Sequence, residues 1–101
     1  MTGAFKEELR VALGRACQAQ NVSVITRGRR EILSMPRDEI LVNIERVAAD
    51  SLLLGGEWEF RRLLELYDQL DAGLLRRLVE NGLKSENEEV REAAEDFKAK
   101  I

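Results

Sequence analysis

Apolar side chains in this chain return at intervals of three and four residues almost from end to end, and that spacing favours helices over strands. Phe5, Leu9, Ala12, Leu13 and Ala16 share one helical face, which predicts a first helix over about 4–19 with Gly14 on its outer side. Ile40, Leu41, Ile44, Val47, Ala48 and Leu52 form a second stripe behind Pro36, the only proline. Pro36 suits a first helical position, Asp38 and Glu39 suit the positive end of the helix dipole, and Gly55-Gly56 suits its left-handed stop. A third helix is expected from Glu57 to about Leu70, with Phe60, Leu63, Leu64, Tyr67 and Leu70 on one side.

Asp71 reads as the N-cap of a further helix carrying Leu74, Leu75, Leu78 and Val79, stopped at Asn81-Gly82 with a Schellman contact from Leu83. Ser85 and Glu88 match a capping box ahead of a last helix bearing Val90, Ala93, Ala94 and Phe97. Residues 21–33 fit less simply. Val22, Val24 and Thr26 alternate as in a short strand with Arg27-Gly28 as a turn, while Thr26 also suits the cap of a short helix holding Ile32 and Leu33. A loop with a short helix is the expectation there. The fold class is therefore all-α: about five helices in a compact orthogonal or antiparallel bundle.

One core fits a chain of 101 residues, so 1–101 is expected to be a single domain. Within it, 1–35 is mildly basic, with six Lys/Arg against three acids, and 36–101 is an acidic four-helix part, since the whole chain carries −3. Charges begin at Lys6 with no apolar signal stretch before them, no run approaches the length of a membrane span, and Cys17 has no second cysteine to pair with. A reducing cytoplasmic location follows as the expectation.

The chain contains no histidine. That removes Ser-His-Asp and Cys-His nucleophilic systems, the usual general base near neutral pH and, with one cysteine, a structural zinc site in the monomer. Gly55-Gly56 lacks a preceding strand and a following Lys-Ser/Thr, so no phosphate loop is present. Carboxylates remain. Glu88, Glu92 and either Glu95 or Asp96 share a face that could hold Mg²⁺ or Ca²⁺ weakly, yet Glu88–Arg91, Glu95–Lys98 and Asp96–Lys100 pairing accounts for them as helix support. Glu57 and Glu59 flank Trp58 and are expected to pair with Arg61 and Arg62. No enzyme, cofactor or metal is expected.

Two surfaces are candidates for binding. Trp58 at the entry of its helix, with Leu53 and Leu54 off the neighbouring stripe, would make an apolar centre rimmed by acids, a composition common at protein interfaces. Arg27, Arg29 and Arg30 would neutralise phosphates. Ala16-Cys17 … Asn21-Val22-Ser23 resembles the turn of a helix-turn-helix, with Ser23 as cap of the second helix, but that alignment sets Arg27 and Arg30 where apolar anchors belong.

Residues 58–97 resemble a helical hairpin of the HEAT or armadillo type. The resemblance rests on Asp71-x-x-Leu74-Leu75-x-x-Leu78-Val79 and on Lys84-Ser85-Glu86-Asn87-Glu88-Glu89-Val90-Arg91-Glu92-Ala93-Ala94, similar to an inter-repeat turn and the helix after it. It implies protein binding and names no binding residue. The functional expectation is a non-catalytic interaction module of the adaptor, inhibitor or immunity type, binding another protein or itself as a homodimer. The alternative is a small nucleic-acid-binding regulator using Arg27, Arg29 and Arg30.

Overall fold

The computed structural model describes residues 2–18, 20–51 and 56–101. These form six helices and no strand: α1 Thr2–Ala16, α2 Val22–Leu33, α3 Arg37–Ser51, α4 Glu57–Leu70, α5 Ala72–Leu83 and α6 Glu88–Lys98. The all-α expectation holds. The count of about five does not, because 22–33 is a full 12-residue helix rather than a loop with a short one. Contacts divide the chain into two units, Met1–Leu52 and Leu53–Ile101.

In the first unit, α1 packs against both α2 and α3. Its stripe Leu9, Ala12, Leu13 and Ala16 is buried, as are Ile40, Ile44, Val47 and Ala48 of α3. Between α1 and α2 the contact is set by small residues. A Cβ on Gly28 would stand 2.7 Å from the Ala12 carbonyl and 2.8 Å from Arg15 Cβ, and would collide with the backbone nitrogen of Ala16. The two backbones therefore approach more closely than any side chain on α2 at this point allows.

Helix α2 forms because Ile25, Gly28 and Ile32, spaced three and four apart, all face inward, and all three are buried. The strand-like alternation at Val22, Val24 and Thr26 does not survive, since Val22 is 71% exposed and Thr26 is also exposed. Asn21, not Thr26 or Ser23, caps the helix: its side chain accepts from the Val24 N–H at 3.1 Å and its carbonyl accepts from Ile25 at 2.9 Å. Helix α3 begins one residue after Pro36, whose carbonyl accepts from Ile40.

The second unit is an up–down–up arrangement in which all three helices touch one another. The stripes of α4 and α5 are buried as expected, and Leu66 joins them. Asp71 alone joins α4 to α5. Its N–H donates to the Tyr67 carbonyl at 3.0 Å, closing one helix, while its carboxylate accepts from Leu74 at 3.1 Å, opening the next. A one-residue joint forces α5 to fold back on α4.

Two helix ends differ from expectation. Gly82 does not stop α5 in a left-handed conformation: it is buried inside the last turn, and none of the described glycines has a positive φ. A Cβ there would stand 2.9 Å from Ala94 and would strike the Phe60 ring. Gly56 likewise takes φ −90° as N-cap of α4, whereas Gly55 lies outside the described residues. At α6 the capping residue is Asn87, which accepts from the Glu89 N–H at 2.8 Å, while Ser85 Oγ accepts from the Asn87 N–H at 3.1 Å. The Ser85–Glu88 box is displaced by this tighter local turn.

Two glycines give opposed tests. Gly28→Ala should lower stability by about 2 kcal/mol, because the colliding atoms are backbone and cannot swing away. Gly14 sits in α1, where an added methyl would meet nothing within 4 Å, so Gly14→Ala should raise stability by about 0.5–1 kcal/mol through helix propensity. Thermal melts of the two variants should move in opposite directions. A neutral Gly28→Ala would contradict the close α1–α2 approach.

Candidate functional site

The parallel run of α4 and α6 brings their N-terminal ends together. Arg61 donates to Asp96 at 3.1 Å and Lys100 to Asp68 at 3.1 Å, pairs 35 and 32 residues apart that fix the register along the two helices. These cross-helix pairs replace the local Asp96–Lys100 pairing expected on α6, and Lys100 also lies over the Phe97 ring at 5.6 Å. Arg62 pairs with Glu65 at 3.2 Å within α4. Arg91 donates to the Ser85 carbonyl at 2.7 Å and so holds the α5–α6 turn.

That register sets Glu57, first residue of α4, against Glu89 in the first turn of α6. Acids suit both positions singly, because each helix offers free N–H groups and a positive dipole end. Together they repel. The side-chain hydrogen bond with Glu89 holds the Glu57 carboxyl above the usual carboxylate range; desolvation and the charges of Glu89 and Glu92 act in the same direction, and Arg61 acts against them. The expected Glu57–Arg61 pair is thus secondary to a carboxyl–carboxylate contact between helices, which chain spacing within α4 could not reveal.

Trp58 follows Glu57 and is 50% exposed, unlike Phe60 and Tyr67, which are buried in the unit's core. Leu53 and Leu54 lie outside the described residues, so the structure brings only Trp58 of that trio to the acidic end. Among the described residues no group of three or more His, Cys, Asp or Glu side chains is placed to hold a metal ion.

Arg27, Arg29 and Arg30 do not form one cluster. Arg27 and Arg30 are exposed on the outer side of α2, while Arg29 is half-buried on its flank. The inner anchors are Ile25, Gly28 and Ile32, so the alignment that placed Arg27 and Arg30 inward is corrected. Arg15 of α1 donates to both Glu31 oxygens, at 2.8 and 3.0 Å, and Glu31 lies 3.7 Å from Arg27 Nε. Beside this bridge is an open groove of about 570 Å³, floored by Val11, Ala12, Met35 and Pro36 and edged by Glu7 and Glu8. Sequence reasoning missed it because its walls come from α1 and from the α2–α3 turn, and no spacing within either element signals it. Cys17 is buried and packs as a small core residue.

No helix among the described residues is long and apolar enough to cross a membrane. No family model, curated protein or solved structure matches this chain.

The raised Glu57 carboxyl gives a sign for pH dependence. The folded chain holds this proton more tightly than the unfolded chain, so the contribution is favourable below the ordinary carboxylate range and is lost as pH rises through the folded value. Glu57→Gln keeps a donor toward Glu89 and removes the repulsion. It should therefore melt higher than the unsubstituted chain at pH 7 and lose that advantage near pH 4. An advantage that grew on acidification would contradict the assignment.

Proposed function

We propose that this chain is a non-catalytic protein-binding module that presents Trp58, framed by acidic helix starts, to a partner with a basic contact surface. The observation that carries this reading is the half-exposed Trp58 beside the Glu57–Glu89 contact. A tryptophan held on a helix supplies a large rigid anchor at small entropic cost, and such residues dominate binding energy where they are covered. Residues 53–101 carry eight Lys/Arg against twelve Asp/Glu, so the field around that anchor favours cations. Binding a lysine or arginine near Glu57 and Glu89 would relieve their repulsion, and this relief is gained only in the complex.

The up–down–up course of α4, α5 and α6 also supports the finer reading of a HEAT-type hairpin, because alternate helices of stacked hairpins run parallel. The absence of histidine from the chain supports a role in binding rather than acid–base chemistry.

Trp58 is the only tryptophan, so its fluorescence reports directly on this surface. A partner isolated on the immobilised chain should shift Trp58 emission to shorter wavelength and bind more weakly as salt rises. Trp58→Ala should weaken the complex about 30-fold while changing stability by under about 0.5 kcal/mol. Equal retention of the partner by the Trp58→Ala chain would refute the proposed surface, as would emission unchanged on binding.

A further inference from the structure

From Leu9 to Arg30 the chain contains no acidic residue, although nearly one residue in five overall is Asp or Glu. The stretch holds Arg10, Arg15, Arg27, Arg29 and Arg30, and it makes up the second half of α1, the turn after it and most of α2. On α2 the side chains opposite the buried Ile25, Gly28 and Ile32 are Ser23, Thr26, Arg27 and Arg30. They recur at i, i+3, i+4 and i+7 and so occupy an arc of about 100°. All four are exposed.

We infer that this outward face of α2 is a binding surface for duplex DNA. It lies in the first unit and stands on observations independent of Trp58. Two guanidiniums match phosphates or the acceptor edge of guanine, and two hydroxyls can donate or accept at either a base edge or the backbone. With 12 residues α2 is about 18 Å long, enough to cross a major groove about 12 Å wide. No acid lies in its first turn, so its positive end adds to the attraction rather than being neutralised. Val22, 71% exposed at that same end, offers an apolar contact of the kind that thymine methyls accept.

Glu31 is the nearest acid on α2, and it sits on the flank toward α1, where Arg15 holds it at 2.8 Å. Its 3.7 Å contact with Arg27 leaves that side chain 69% exposed. A surface ion pair of this kind contributes little and is readily exchanged for a phosphate. Rigidity comes from the Gly28 approach and the Asn21 cap, which fix the helix so that its outer face is presented without rearrangement.

The test is fluorescence anisotropy of a labelled mixed-sequence duplex of about 20 base pairs, titrated with the full chain between roughly 30 and 200 mM salt. Binding should weaken linearly on a log–log plot. Arg27→Ala/Arg30→Ala should reduce the slope by about two and the affinity at least tenfold, since each arginine releases about one counterion. Arg76→Ala/Lys98→Ala removes two exposed cations from α5 and α6 of the other unit and should leave the slope unchanged. Circular dichroism melts of both variants establish that each is folded. No binding at the lowest salt would overturn the inference, as would equal losses in the two double variants. Equal affinity for duplex RNA of the same sequence would also overturn it, because the A-form major groove is too narrow for a helix.

Discussion

A missing side chain where helices meet, which leaves room for the atoms of a neighbouring helix, is the contact on which the rest of each unit depends. At Gly28 the facing atoms are the main chain of Ala12 and Ala16, and at Gly82 they are Phe60 and Ala94. Helices separated by ordinary side chains stand about 8–10 Å apart, and bringing them nearer increases the number of atoms in dispersion contact on both sides. Ile25 and Ile32 can then bury on either side of Gly28, and Leu74, Leu75, Leu78 and Val79 can bury in the turns before Gly82. The same two glycines orient what faces outward. Ser23, Thr26, Arg27 and Arg30 point to solvent because Gly28 points the other way.

Much of this was legible as spacing. The stripes on α1, α3, α4 and α5 were readable because apolar residues at intervals of three and four leave few other arrangements, and Asp71 was readable as a cap because a carboxylate suits free amides. The failures share a physical cause. Gly28 reads locally as part of a turn and Gly82 as a helix stop, because in isolated backbone glycine breaks helices and β-branched neighbours favour extension. Tertiary contact overrode those local preferences. A glycine that costs a helix about 1 kcal/mol can be retained where it allows a neighbouring helix to approach.

Candidate surfaces were less legible than the fold for a related reason. Composition and chain position leave Trp58 open between core and surface, and the structure leaves it half-exposed, while sequence adjacency alone groups Arg27, Arg29 and Arg30. Adjacent residues on a helix diverge by about 100°, so three neighbours seldom share a face. The Glu57–Glu89 contact required knowing that α4 and α6 run parallel, and the groove beside Arg15 and Glu31 required knowing how the α2–α3 turn meets α1. Both arise between elements and leave no trace within one.

Among the described residues no polar or charged side chain other than those of Tyr67 and Cys17 is enclosed in either core. Most helix partners in such a core are matched by shape, through apolar side chains that make no directional bond. Leucines, isoleucines and valines of similar volume can exchange at many of these positions with modest effect. The two crowded glycines have no substitute. Related chains descending from a common ancestor would therefore drift freely through their apolar residues while keeping a glycine at each crossing, so kinship in this fold would be written in its smallest side chains rather than its largest.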